Sequence, residues 1–444
     1  MRNLLRALAL STAALCPSTA FADEAKGNVA WSIVSDLTTQ VGQRLAGSEA
    51  EARARQWAAE RLKQLGFKGV AVEPFTITGY LRGEDKAELI APVPLKMAVT
   101  ALGYSGTGTI PNAELVYLDS FETLQKVDGA PFVGKVVFID HAMKATQDGS
   151  SYGPSGQARR LGPALAAQKG AAAVLIRSIG TDSHRNPHTG STTFKPGDRV
   201  IPAGAVSNPD ADIIRAIAKS AMRPVRVSVS FTGKTTDNLP SGNVIGELPG
   251  RDPALPPVLV ACHLDSWDLG TGAIDDAAGC AIITAAALKT HEGGKPLRTT
   301  RVLWAGAEEL GGLGGKAYAE KHREPHALAM ESDFGAGKVW RVKFRLADGN
   351  KALASTVAST LAGLGVVRGQ AMADGGTDIR PVIDAQKLAV IDLDQDGTRY
   401  FDLHHTPDDT LDKVDPADLA QNVEAWARVL AVVANEPGTI APAP

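Results

Sequence analysis

Leu259-Val260-Ala261-Cys262-His263-Leu264-Asp265-Ser266 is an apolar run that passes directly into residues carrying an imidazole and a carboxylate. A short continuous apolar run bounded by polar residues is the pattern of a strand buried on both faces. The pattern recurs. Val302-Leu303-Trp304-Ala305 leads on to Glu308-Glu309, and Leu328-Ala329-Met330 leads to Glu331-Ser332-Asp333. Around these runs, helix-like stretches cover residues 276–289, 313–321, 351–364 and 416–433, and another strand-like run covers 388–392. This alternation, from residue 243 onward, predicts an α/β three-layer sandwich: a mostly parallel mixed sheet with helices on both faces. In such sheets chemistry gathers beyond the carboxyl ends of the strands. The polar residues fall at those ends.

Upstream, residues 29–45 read as a helix and 48–65 as a second one, with Ser48 and Glu51 in capping-box spacing and Gly66 as its stop. Trp57, Ala58, Leu62 and Leu65 share one face of that helix, and residues 70–77 alternate like a strand. From about residue 92 to 235 the texture changes. Short apolar strands at 136–139, 172–176 and 227–231 alternate with helix-like 157–169 and 210–219, which predicts a separate mixed α/β module. The turn-rich stretch 181–202, holding His184 and His188, is too polar for a core and is expected to form a surface flap. The expected division is a signal segment 1–22, a first part of the main domain 23–91, an insert 92–235, the main part 236–434 and a flexible tail 435–444.

The chain has 444 residues, enough for two or three domains. Its formal net charge of -3 offers no global positive field for nucleic acid, so that class of partner is set aside. Arg2 and Arg6, the apolar stretch 7–15 and Ala20-Phe21-Ala22 have the order of a cleavable signal, with maturation expected between Ala22 and Asp23 and a secreted or periplasmic product. Removing residues 1–22 takes the net charge from -3 to -5. The apolar stretch is shorter than the ~20 residues a membrane span needs. Cys262 and Cys280 could pair in an oxidising compartment, but one sits in a strand-like run and the other in a helix-like run, so free buried thiols are expected.

The chemistry-bearing residues are His263 and Asp265, the Gly-rich turn Gly272-Ala273-Ile274-Asp275-Asp276, Glu308-Glu309, Asp333, and Asp402-Leu403-His404-His405-Thr406. Imidazole nitrogen and carboxylate oxygen are zinc's donor types, and an excess of carboxylates over histidines suits a pair of ions better than a closed structural site. A lone Asp at a strand end is usually a helix cap or a solvated turn; the ordered set points to a metal centre. His141, His291, His322 and His326 have no partner at ligand spacing and read as surface or structurally satisfied residues. Asp408 and Asp409, after Pro407, read as turn caps.

The segments 263–276, Ala307-Glu308-Glu309, Met330-Glu331-Ser332-Asp333-Phe334-Gly335, Gly375-Gly376-Thr377-Asp378 and 400–406 resemble those of the zinc-dependent co-catalytic exopeptidases. Leu175-Ile176-Arg177-Ser178 and Pro187-His188-Thr189-Gly190 extend the resemblance into the middle module, which in that family is an inserted protease-associated domain. The resemblance implies two zinc ions held by His263, Asp275, Glu309, Asp333 and His405, with Asp275 bridging. It implies Asp265 as the hydrogen-bond partner of His263, Glu308 as general base, His404 as a stabiliser of the oxyanion, and a cis peptide after Asp275. It places Asp378 near the substrate pocket. His184 and His188 could meet a substrate terminus across the cleft, although polar flap residues are more often merely solvated. The implied substrate is a dipeptide or short peptide with free termini, trimmed by a carboxypeptidase, dipeptidase or aminopeptidase, in an enzyme that can form a homodimer. Two rivals stay open at this point, a single-zinc glutaminyl cyclase and a non-catalytic receptor.

Overall fold

The computed structural model describes residues 28–443; the expected signal segment and its cleavage point lie outside the described residues. Among the described residues, no helix is long and apolar enough to cross a membrane.

The apolar runs form the centre of an eight-stranded sheet. Thr300–Ala305, Val258–His263, Leu328–Glu331 and Val390–Gln395 lie side by side and parallel. Lys234–Leu248 and then Lys68–Leu81 extend one side antiparallel, and Val339–Arg345 closes the other side antiparallel before the short Val367–Arg368. The sheet is therefore mixed around a parallel centre. Of its antiparallel strands, Lys68–Leu81 was read in part at 70–77, whereas Lys234–Leu248 and Val339–Arg345 escaped the sequence reading because half-exposed strands lack the unbroken apolar run of buried ones.

Along the central strands, buried almost throughout, successive side chains alternate between two faces as a pleated sheet requires. Val258, Val260, Cys262, Val302 and Trp304 join one core with the helices Val29–Asp36, Glu49–Gln64, Ala278–Glu292 and Pro416–Val433. Leu259, Ala261, Leu303 and Ala305 face the other way, against the helices Leu313–Lys321 and Arg380–Gln386. That gives the expected three layers. Ser48 caps its helix by accepting the Glu51 N–H at 3.1 Å, while the Glu51 carboxylate accepts from Gly47 rather than from Ser48 itself.

A second eight-stranded sheet runs in the order Leu95–Met97, Asp85–Ala91, Arg226–Phe231, Gly108–Leu118, Val136–Ile139, Ala173–Arg177, Ala203–Val206 and Val99–Ala101. Its first strand starts at Asp85, upstream of residue 92, because Asp85–Ala91 pairs with Arg226–Phe231. The helix expected at 157–169 is broken into Tyr152–Arg160 and Gly162–Gln168, since Pro163 has no N–H to continue the ladder.

Three expectations are corrected. Cys262 and Cys280 form a disulfide, with Cα atoms 5.1 Å apart; the turn through Asp275 brings the following helix back over the strand, and element type alone does not say which faces meet. The 181–202 stretch is not a mere surface flap, because His188, Thr189 and Thr192 are buried. The tail is not loose up to residue 443. Ile440 is buried in the core, Ala347 N–H donates to Ala441 O at 2.8 Å, and Ala441 N–H donates to Asn350 Oδ1 at 2.9 Å.

Candidate metal centre

Each chemistry-bearing residue stands where a strand or helix lets go of the chain. His263 ends Val258–His263, Asp275 lies in the kinked turn before Ala278–Glu292, and Glu308-Glu309 follow Thr300–Ala305. Asp333 follows Leu328–Glu331, and His405 follows Tyr400–Leu403 with a φ of 58°, a left-handed backbone unusual for a side-chain-bearing residue. The Asp275-Asp276 peptide is cis, as the resemblance implied.

Asp275 occupies the middle of the group. Its Oδ1 lies 2.9 Å from His263 Nε2, and its Oδ2 lies 3.2 Å from His405 Nε2. Asp333 Oδ1 joins His263 at 3.4 Å, and Glu309 Oε2 joins His405 at 3.0 Å. Two triads thus share one carboxylate. Donor atoms of a tetrahedral site with ~2.0 Å bonds stand roughly 3.3 Å apart, so these spacings suit a metal in each triad. Asp275 Oδ2 and Glu309 Oε1 are buried and accept no hydrogen bond among the described residues, as donor atoms reserved for a cation would be.

The ring tautomers point the same way. His263 Nδ1–H donates to the Asp265 backbone carbonyl at 3.0 Å, and His405 Nδ1–H donates to Thr189 O at 3.4 Å. Both Nε2 lone pairs are then free to face the carboxylates. Burial opposes charge on His263, yet Asp333, Asp265 and Asp275 outweigh it and push its pKa well up, so a proton and a metal compete for that nitrogen. Burial, with nearby acids, raises Glu308 to about 8 and Glu309 to about 7. Such a concentration of carboxylates calls for a cation.

The expected partnership of Asp265 and His263 takes a different form. The Asp265 carboxylate is 3.8 Å from His263 Nδ1, too far for a hydrogen bond. It accepts instead from the Glu308 and Glu309 N–H groups at 3.0 and 3.3 Å, and so positions both acidic residues. Two further supports carried no motif in the sequence. Arg44, fully buried, donates to the carbonyls of Leu264, Thr271 and Gly272 at 2.5, 2.7 and 2.8 Å. Asp409, expected only to cap a turn, accepts from the Ile274 and Asp275 N–H groups at 2.6 and 3.2 Å.

A cavity of about 450 Å³ opens over the cluster. One side carries Asp275, Glu308, Glu309, Asp333, His404 and His405; the other carries Tyr152, Arg159, Arg160, Ser191 and Thr193 from the second-sheet module. A larger cavity of about 620 Å³, behind Phe334 and Tyr400, holds none of the expected ligands.

His404 lines the cavity but does not fit the oxyanion role. His188 Nδ1–H donates to Thr189 O at 2.9 Å, so its Nε2 accepts, at 3.2 Å, the proton on His404 Nδ1. Burial and the neighbouring His405 hold His404 neutral. Its Nε2 is therefore an acceptor, whereas an oxyanion needs a donor.

His184 is exposed and pairs with Asp408 at 2.6 Å, outside the cavity lining. Asp378 is fully buried with neither carboxylate oxygen hydrogen-bonded among the described residues; its neighbour Thr377, not Asp378, reaches the cavity. His326 is buried, within 2.9 Å of the Tyr318 hydroxyl, and His322 lies 3.0 Å from Glu73, in keeping with satisfied structural roles.

The peptidase family M28 model matches residues 243–430, a span that contains every strand-end residue named above. Over 407 residues the chain is 35% identical to carboxypeptidase Q of Bos taurus, covering 90% of this chain and 84% of that protein. The chain belongs to peptidase family M28. As an M28 chain of this similarity it is a metallopeptidase. A peptidase M28 precursor from Shewanella amazonensis superposes with a TM-score of 0.90 at 42% identity, covering 96% of this chain and 97% of that one. At 20% identity a zinc aminopeptidase from Bacillus subtilis shares the fold, with a TM-score of 0.62 over 90% of this chain and 93% of that one.

Proposed function

We propose that this M28 peptidase is a secreted or periplasmic dizinc exopeptidase acting on dipeptides or short peptides with free termini. The observation that supports it is the single Asp275 carboxylate set between two histidine–carboxylate pairs. His263, Asp275 and Asp333 would hold one ion; His405, Asp275 and Glu309 would hold the other. Bound there, paired zinc supplies Lewis acidity and makes water a nucleophile near neutral pH.

The rest of the chemistry belongs to side chains. Glu308, its N–H anchored by Asp265, takes the proton of the attacking water and returns it to the departing amine. His404 supplies an acceptor at the cavity wall, suited to a substrate N–H. The second sheet and its loops are read as the protease-associated insert, with Asp85–Ala91 included. A cavity of about 450 Å³ lies in the range of small-ligand sites, which suits short substrates. The basic start and apolar run of residues 1–22 support export.

The decisive experiment incubates purified protein with dipeptides bearing free, N-blocked or C-blocked ends, with and without chelator, beside metal analysis. Two zinc ions per chain and chelator-sensitive cleavage of unblocked dipeptides are expected. One tightly held zinc and no peptide cleavage would move the reading to a glutaminyl cyclase.

A further inference from the structure

We propose that His188, on a buried loop of the second-sheet module, is a positioning residue that fixes the tautomer of His404, so that His404 Nε2 faces the metal cavity as an acceptor for a substrate N–H. This role rests on the exopeptidase reading and names the residue that aims the acceptor.

The order of protons is set at the far end of the pair. A carbonyl oxygen can only accept, so His188 Nδ1, 2.9 Å from Thr189 O, carries the proton. His188 is 1% exposed, and among the described residues no carboxylate is hydrogen-bonded to it or to His404. Burial, with His404 and His405 beside it, holds His188 neutral. A neutral ring protonated on Nδ1 keeps a lone pair on Nε2, and this lone pair meets His404 Nδ1 at 3.2 Å. His404 must donate there, which leaves its own Nε2 bare.

Packing keeps both rings from turning. His404 stacks on Tyr400 with centroids 4.5 Å apart, and it meets Phe401 at 5.0 Å and Tyr152 at 5.3 Å edge-on. His188 meets His404 edge-on at 4.6 Å, and its backbone N–H donates to Ser178 Oγ at 2.9 Å. His404 lines the cavity whereas His188 stands behind it, and His404 Nε2 has no partner among the described residues. The Thr189 carbonyl also accepts from His405 Nδ1–H at 3.4 Å. One carbonyl of the module thus orders two adjacent rings, His405 with Nε2 toward the carboxylates and His404 with Nε2 toward substrate.

The ring centroids of His404 and His405 lie 4.2 Å apart, so the acceptor sits beside the reacting end of a bound peptide. Two substrate groups offer an N–H there, the scissile amide and the α-ammonium.

The test uses zinc-loaded wild type, His188→Phe and His188→Gln, with circular dichroism and zinc content as checks on folding. Phe keeps a packed ring without an acceptor, and Gln restores an acceptor through Oε1. With 15N-labelled histidine, the His404 signal, identified by its loss in His404→Gln, is expected as the Nδ1–H tautomer in wild type and His188→Gln but not in His188→Phe. On Ala-Ala, kcat/KM should fall roughly 10-fold in His188→Phe and recover in part in His188→Gln. Ala-sarcosine lacks the amide N–H, and lactoyl-alanine lacks the ammonium. Wild type should cleave one of them roughly 10–100-fold less well than Ala-Ala, the range for leaving a sheltered acceptor unpaired, and the poorer one names the N–H. His188→Phe should narrow that gap. An Nε2–H tautomer of His404 in wild type, an unchanged tautomer in folded His188→Phe, or a gap for neither analogue overturns the proposal. If wild type cleaves no peptide, the exopeptidase reading has failed, while the tautomer signal still decides whether His188 orients His404.

Discussion

The two sides of the active cavity are built on different plans. The floor comes from strand ends of the main sheet, is dominated by carboxylates, and is held by backbone N–H groups gathered on Asp265, Asp276 and Asp409. The opposite wall comes from a helix and a buried loop of the second-sheet module and brings arginines, hydroxyls and His188. Rigid strand ends suit a metal cluster, whose donors must stay within a few tenths of an ångström of their places. A wall set on a helix and loops suits recognition, where side chains of moderate reach meet a variable ligand. Contacts across the gap keep the sides in register. Thr189 N–H donates to His405 O at 3.0 Å, and Thr189 O accepts from His405 Nδ1–H.

The contrast breaks first at Glu308. Glu308→Gln removes a base and no donor to either triad, so turnover should fall roughly 100- to 10,000-fold while metal analysis still finds both ions. Near-normal turnover would take proton transfer away from the floor. The adjacent histidines sharpen the boundary: His405→Ala should halve the zinc bound per chain, whereas His404→Ala should keep both ions and weaken catalysis. The reverse result would assign the wall's contact to His405 and the metal to His404.

The floor also depends on its staple. The Cys262–Cys280 bridge closes a loop of sequence separation 18 that carries His263, Asp265 and Asp275. Loop-closure entropy for a loop of that size is worth ~3 kcal/mol. Cys262→Ala/Cys280→Ala should lower chemical-denaturation stability by about that amount and loosen zinc binding, with no change in which C-termini are accepted.

The smallest effect expected lies away from both sides, at His326, where burial lowers the pKa from the usual imidazole value near 6.5 to about 4. The unfolded chain binds the proton first. The contribution is therefore intact above pH 6.5 and drains away as the pH falls toward 4, by about 2–3 kcal/mol. A stability–pH profile of His326→Gln should be flatter in that window than wild type; equal slopes would move the acid sensitivity to another group.

The cluster of candidate ligands was legible in the chain because strand ends announce themselves. An apolar run buried on both faces must stop where polar side chains begin, and His263, Glu309 and Asp333 stand just there. The turns holding Asp275 and His405 stood out as polar, but the choice of Asp275 over Asp276 and of His405 over His404 was legible only through motif likeness, since turns impose no periodicity. Arg44, Asp409, Arg159 and Arg160 were not legible at all. Each acts across a gap of 100 residues or more or from a second module, and a lone arginine in an amphipathic stretch reads like any solvated cation.

From its sequence alone the chain determined the layered α/β core, the acidic and imidazole donors, and their order along the strands, because burial and pleat act locally and leave a pattern. Only the tertiary structure decided that Asp275 faces two histidines with its two oxygens, that Cys262 meets Cys280, and that a buried loop and two unpaired arginines cover the metal site. Those outcomes depend on which faces meet across long stretches of chain, and local periodicity carries no record of that.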